Sequence, residues 1–312
     1  MISDSFKVIK PGACSLLEDE GRFGYQHFGI TTGGAMDETA ARWANRLLGN
    51  SSNAVLLEIT LGNVQLEATA DTWIALTGAD LGLRINGEKK SNWQSHFVQQ
   101  GDLVSMGWAV MGVSSYLAVV GGFQLKSDFG SCSTVKREQL GGLTGNALEA
   151  GDELHFSSVP KSYFTCSRAV PSRYIPDYSD SVILRVVKGY QVEQFPEISV
   201  QKFFASSYKV SSESDRMGFR LQGEAIETGV SGLLSEGIAY GAIQIPADGQ
   251  PIVLLKDRQT LGGYPKIGSV LPLDSYKLSQ CRAGSEVTFK EVSLKEAQQL
   301  MQTFQRFFSK ST

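Results

Sequence analysis

Two stretches of the chain concentrate side chains that can do chemistry. The first runs from Gly21 to Asp37, GRFGYQHFGITTGGAMD. It brings an arginine (Arg22), a side-chain amide (Gln26) and a histidine (His27) close to the flexible pair Gly33-Gly34, just ahead of a helical pattern. Small residues let backbone N–H groups approach an anion at a helix N-terminus, where the dipole is positive. The stretch therefore suits a phosphate, a carboxylate or a developing oxyanion. It is not a P-loop, because GxxxxGK[ST] is absent. An imidazole exchanges protons near neutrality, which makes His27 a candidate general acid or base. The competing reading is a tight turn followed by Asp37 as an ordinary helix cap.

The second stretch is longer. SSESDRMGFRL (211–221) packs acids, hydroxyls and two arginines into a turn. It is followed by SEGI (235–238), GAIQIP (241–246), DGQP (248–251) and KDRQTLGGYPK (256–266). Polar groups alternating with glycines between apolar runs are expected where strand ends and loops line a polar pocket. Gln244 and Gln250 suit reading of an amide, and Arg216, Arg258 and Lys266 suit neutralising a carboxylate or phosphate. Asp257 is a candidate base, or a partner that fixes Arg258. Tyr264 joins the substrate-binding candidates. The bland alternative is a salt-bridged hairpin surface.

The elements that must position these groups read mostly as strands. Short apolar or alternating runs fall at 56–61, 64–68, 72–77, 81–85, 103–106, 115–120, 153–157, 182–187, 241–245, 252–255 and 286–290. Asn86-Gly87 is a hairpin signal, since a type I′ turn needs positive φ at both central positions. Dense short strands with 33 glycines argue for β-barrels or sandwiches over a doubly wound sheet. Three segments share one shape, a glycine and a polar residue ahead of an alternating strand: QGDLV (100–104), AGDELHF (150–156) and AGSEVTF (283–289). The last two resemble the closing strands of two similar halves. Residues 157–181 are polar and hold Pro160, Pro171 and Pro176, as a linker would. The expected domains are 1–177 and 178–312, the second with a terminal helix. One helix is expected from Asp37 to Leu48, stopped by Gly49. The other is expected over 294–308, with Ser293 and Glu296 as a capping box and an apolar stripe that packs on the core.

Composition narrows the function classes. The 42% hydrophobic and 20% charged fractions are those of a globular protein, and 312 residues can bury a core without metal or disulfide staples. A net charge of −3 without a basic run disfavours nucleic acid and anionic membranes as partners. The four cysteines form no CxxC pair and the three histidines are scattered, so no metal site is expected. The first residues lack the apolar core of a signal peptide, and no apolar run approaches the ~18 residues of a membrane span. Reduced thiols in the cytoplasm are the simplest reading.

The runs GYQHFGITTGGAMD, TGADL (77–81), SDRMGFRL, SEGIAYGAIQIP and DGQPIVLLKDRQTLGGYPKIG resemble the KipA family. That family is also called allophanate hydrolase subunit 2 or the biotin-dependent carboxyltransferase family, and it includes the C subunit of 5-oxoprolinase. The resemblance covers about residues 10–290. It implies a mainly β protein of two tandem cyclophilin-like β-barrel domains. It further implies an ATP-hydrolysing enzyme complex that opens 5-oxo-L-proline to L-glutamate, with ATP as co-substrate. The implied partners are a KipI-like B subunit with a LamB/YcsF-like A subunit. Within that expectation, Arg216, Arg258 and Lys266 would face phosphate. Gln26, Gln244 and Gln250 would bind the amide, and His27 or Asp257 would activate water. A related branch moves carboxyl from biotin to urea; this chain has no biotin-attachment motif of the Met-Lys-Met type, so no covalently attached biotin is expected. A third reading is a KipA-type regulator that binds a KipI-like kinase inhibitor. Phe23, Thr32 and Tyr190 depart from the family pattern and bear on loop rigidity.

Overall fold

The structure, a computed structural model, describes residues 4–230 and 233–309. The chain divides into two compact units. One comprises residues 4–23 with Gly33–Asp177; the other comprises Gly24–Thr32 and the chain from Tyr178 onward.

The first unit holds strands β1 (Ser5–Pro11), β2 (Cys14–Glu18), β3 (Leu56–Thr60), β4 (Gly62–Ala68), β5 (Thr72–Asp80), β6 (Arg84–Ile85), β7 (Glu88–Lys89), β8 (Gln94–Val98), β9 (Leu103–Trp108), β10 (Met111–Val119) and β11 (Glu153–His155), with helix α1 (Glu38–Leu47). They form a six-stranded sheet, β11-β1-β4-β9-β6-β7, and a five-stranded sheet, β2-β3-β10-β5-β8. Val64, Leu66 and Ala68 of β4 point inward while Gln65 and Glu67 point out, the period-two pattern of a half-buried strand. They meet Leu57, Ile74, Leu76 and Leu117 of the other sheet in one core. β5 is buried almost throughout because α1 covers its second face; Thr77 Oγ1 donates to the Ala40 carbonyl at 2.7 Å. Asn86 and Gly87 have φ of 51° and 82°, the positive pair expected of the β6–β7 turn.

The second unit holds β12 (Ser181–Lys188), α2 (Glu197–Ala205), β13 (Ser207–Val210), β14 (Gly218–Gly223), β15 (Glu236–Gly237), β16 (Ala242–Gln244), β17 (Ile252–Leu254), β18 (Leu261–Gly262), β19 (Lys266–Val270), α3 (Pro272–Leu278), β20 (Glu286–Glu291) and α4 (Leu294–Ser309). Seven strands close a barrel in the order β12-β19-β16-β17-β14-β13-β20, and β15 pairs with β18 as a separate arm. α3 is tied to β12 by Asp274, whose carboxylate takes two bonds of 2.7 Å from the Arg185 guanidinium. In α4, Ala297, Leu300 and Met301 pack against Leu271 and Val292, and Phe304 meets the Tyr276 ring. Ser293 Oγ accepts from the Glu296 N–H at 3.2 Å, half of the expected capping box.

The three glycine-polar segments are one turn used three times. Gly101, Gly151 and Gly284 have φ of 86°, 99° and 89°. The residue after each glycine accepts, through its side chain, the backbone N–H three positions back: Asp102 from Gln99, Asp152 from Glu149, Ser285 from Arg282. Each glycine N–H then bonds a neighbouring strand at Ala68, Val8 or Val210. The mainly β architecture with a few short helices is as expected, although the positions of α2 and α3 were not read from the sequence.

Candidate functional site

The first candidate stretch is shared between the units. Arg22, Gly33, Gly34 and Asp37 belong to the first; Gln26 and His27 belong to the second. In the first unit the anion cradle is filled by the protein itself. The Gly34 N–H donates to the Glu18 carboxylate at 3.1 Å, the Met36 N–H to Glu58 at 2.8 Å, and the Asp37 N–H to the Tyr116 hydroxyl at 2.7 Å. Asp37 caps α1 by accepting from the Ala40 N–H. Glu58 and Asp37, with burial first, push the Tyr116 phenol well above its usual range. A Cβ on Gly34 would sit 2.8 Å from the Glu20 carbonyl, so glycine is needed there for close packing. Of the pair expected to receive an anion, Gly34 already donates to a buried carboxylate of the protein, and Met36 to another.

Beneath them lies a polar interior that sequence reasoning missed. Asp19 accepts from Gly21 N–H, Cys132 N–H and the hydroxyls of Ser131 and Ser133, at 2.6–2.8 Å. Arg22 is fully buried and donates to the backbone carbonyls of Asp128 and Ser133. Clustering of Ser131, Ser133 and Thr134 was the only sequence signal.

In the second unit, Gln26, His27 and Phe28 form one exposed 3-10 turn. Gln26 Nε2 donates to Thr32 Oγ1 at 3.1 Å, and the His27 ring lies 3.9 Å from that of Phe28. Thr31 Oγ1 reaches the Arg258 carbonyl at 3.5 Å.

The long stretch 211–266 separates into held and available groups. Asp257 binds Arg216 through two bonds of 2.9 and 3.1 Å, and does not fix Arg258. Arg258 is buried and donates to the carbonyls of Ile238 and Leu255, with its guanidinium 5.7 Å from the Tyr240 ring. Burial pulls its pKa below the ordinary arginine value. Both ends of the Gln250 amide are bonded to the backbone of Gly223, so Gln250 extends strand pairing.

Lys266 differs. It sits opposite Gln244 in the β16–β19 pairing, and its ammonium pairs with Glu236 on β15. Glu236 also accepts from the Tyr190 hydroxyl and, at 2.8 Å, from Gln191 Nε2. Gln191 in turn accepts the Lys266 N–H at 2.8 Å. The Lys266 and Tyr190 bonds hold the Glu236 carboxyl below the usual carboxylate range, while Glu236 raises the Tyr190 phenol. Glu236, Tyr190 and Gln191 were not among the site candidates, although SEGI (235–238) was among the polar runs and Tyr190 among the departures from the family pattern.

Gln244 is 6% exposed and lines a cavity of about 210 Å³ with Met217, Arg220, Ile238, Gln259 and Tyr264. A Cβ at Gly262 would lie 2.9 Å from Gln244 Nε2, so the glycine makes room for the amide. Tyr264 also borders a larger groove of about 860 Å³ that carries Glu227 and Asp248 and no cationic side chain. Among the described residues, no three His, Cys, Asp or Glu side chains gather as a metal site would require, and all four cysteines are free. No described helix is long and apolar enough to cross a membrane.

The fold and site define a two-unit, mainly β protein with a cation–carboxylate–amide cluster on one barrel. The carboxyltransferase domain, subdomain A and B, family matches residues 28–291, and the chain belongs to that family. It is 36% identical over 97% of its length to 96% of the 5-oxoprolinase C subunit of Escherichia coli. It is likewise 36% identical, over 91% of its length, to 90% of the protein of that name in Haemophilus influenzae. Among solved structures, Kluyveromyces lactis urea carboxylase superposes with a TM-score of 0.91 at 29% identity; the match covers 98% of this chain and 29% of that one.

Proposed function

We propose that the chain is the C subunit of an ATP-dependent 5-oxoprolinase, acting with a KipI-like B subunit plus a LamB/YcsF-like A subunit in the cytoplasm. The observation that carries this reading is the 36% identity over nearly the full length of both chains to proteins of that name. The urea amidolyase of Saccharomyces cerevisiae contains the matching region as 17% of its length, at 27% identity.

A lactam is a poor electrophile, so ATP would serve to activate it. Transfer of the γ-phosphoryl group to the lactam oxygen releases ADP and leaves a good leaving group. One water then adds at the ring carbonyl carbon, and the ring nitrogen departs with a proton. The resulting acyl phosphate is hydrolysed by a second water to glutamate and phosphate. Such chemistry needs a cation near developing negative charge and donors on the amide. Lys266 supports the first role and Gln244 the second; His27, solvent-exposed, is the residue left to exchange protons with water. Arg216, Asp257 and Arg258 would support these groups from beneath.

A second reading, carboxyl transfer to urea, is favoured by the TM-score of 0.91 with urea carboxylase. Urea and a lactam share the N–C=O group. Reconstitution with the two partner proteins decides between them. The expected result is 5-oxoproline-dependent ADP and glutamate release, lowered at least tenfold by Lys266→Met. No ATP-dependent turnover from a complete, folded complex would sink the reading.

A further inference from the structure

We infer that the cavity above Gln244 is the seat of a small cyclic amide carrying a carboxylate, and that this chain's second unit binds the amide and not the nucleotide. The inference rests on the proposed reaction class and assigns one of its two substrates to a place.

Size comes first. At about 30 Å³ per water in the liquid, a cavity of about 210 Å³ has room for about seven non-hydrogen atoms. The ring of a five-membered lactam with its oxygen fits, its carboxylate reaching toward the exposed Arg220, whereas a nucleoside triphosphate is several times too large. The 860 Å³ groove is large enough for a nucleotide, but among the described residues that line it no cation offsets Glu227 and Asp248, whereas the smaller cavity has Arg220.

The chemistry of the floor is specific. The Gln244 side chain is 6% exposed and lines the cavity, and Gly262, where a Cβ would sit 2.9 Å from Nε2, leaves it room. A primary carboxamide at a cavity wall offers one donor and one acceptor edge to an occupant. A ring forces the amide cis, which places its C=O and N–H on the same edge. A primary carboxamide matches that edge with two antiparallel bonds: Nε2 donates to the lactam oxygen, and Oε1 accepts the lactam N–H. An open-chain trans secondary amide cannot make both. The walls of Met217, Ile238, Ile252 and Leu254 suit ring methylenes. Glu213 and Asp215 also line this cavity, with Arg220 as its cation. Asp215 accepts from the Met217 and Gly218 N–H groups, and the exposed Arg220 guanidinium reaches Glu213 only at 4.0 Å, leaving it able to take a ligand carboxylate.

The test uses the full chain, alone and in the complex, with 5-oxo-L-proline, 2-pyrrolidone and N-methyl-2-pyrrolidone as probes. Affinity is read by ligand-observed NMR, and KM by turnover. The expected result is that Gln244→Leu raises the Kd or KM for 5-oxo-L-proline at least tenfold and leaves the KM for ATP unchanged. N-methyl-2-pyrrolidone should bind at least tenfold more weakly than 2-pyrrolidone; this arm needs no variant and holds even if Gln244→Leu folds poorly. Arg220→Ala should weaken 5-oxo-L-proline and spare 2-pyrrolidone. An active complex whose KM for 5-oxo-L-proline is unmoved by Gln244→Leu overturns the inference while leaving the proposed function standing. Lactam binding at Gln244 in a complex without turnover does the reverse. A chain that binds none of the probes, in an inactive complex, overturns both.

Discussion

The two units bury similar polar side chains to different ends. In the first, Asp19, Arg22, Glu18 and Glu58 each bond backbone N–H or C=O groups, and Asp19 also takes two serine hydroxyls. Each such bond fixes a loop, and the cavity that Asp19 lines measures about 10 Å³. In the second, Glu236, Lys266, Tyr190 and Gln191 bond mainly to one another, and Gln244 faces a cavity. Residue type does not separate these cases. What separates them is the partner: a carboxylate spent on backbone amides is scaffold, whereas side chains that hold each other can exchange partners with a ligand.

That contrast breaks first at Asp19. Asp19→Ala removes the acceptor of four bonds from a site 6% exposed and leaves several donors unsatisfied. The expected cost is about 3–5 kcal/mol, seen as a lower midpoint in chemical denaturation. A loss under about 1 kcal/mol would show that the first unit's polar interior is as replaceable as a surface.

The next effect separates support from chemistry at Asp257. Its pair with Arg216 is largely shielded, with side chains 11% and 17% exposed. Asp257→Asn is expected to destabilise by about 2 kcal/mol, and a double-mutant cycle with Arg216→Met should show coupling of about 1–3 kcal/mol. Turnover should fall only as far as the folded fraction falls. Lost turnover at unchanged stability would instead make Asp257 a base and move it to the reacting side of the contrast.

Much of the scaffold was legible because its signals are local. Alternation in 64–68, the Asn86-Gly87 turn, Asp37 as cap and the thrice-used glycine turn each depend on a few adjacent residues. α2 was not legible: it is nine residues long, follows Pro196, and carries β-branched and aromatic residues that read equally as strand. The site was half legible. Gln244, Tyr264 and Lys266 could be chosen by type, since their loops carry the glycines that make room for them. The partners could not, because Glu236 reaches Lys266 only through the β15–β18 arm and barrel closure. Gln250, Arg258 and Gly34 drew attention by chemical type, and each bonds backbone groups or a buried carboxylate that lie far from it in sequence.

The smallest expected effect, at Glu236, sharpens the contrast most. Its carboxyl is held below the usual range by Lys266 and then by Tyr190. A depressed folded-state pKa stabilises the fold above the unfolded carboxylate value of about 4.3, and the contribution is lost as pH falls through the folded value. With the side chain about one-third exposed, solvent screening keeps the pair under about 1 kcal/mol. The stability difference between the wild type and Glu236→Gln should therefore be small and flat from pH 6 to 8, and should vanish in acid. Catalytic loss in the complex should exceed that small stability loss, because Lys266 would be freed from the carboxylate that positions it. If the stability difference instead persists unchanged at pH 3, Glu236 acts through shape and not charge, and the cluster belongs with the scaffold of the first unit.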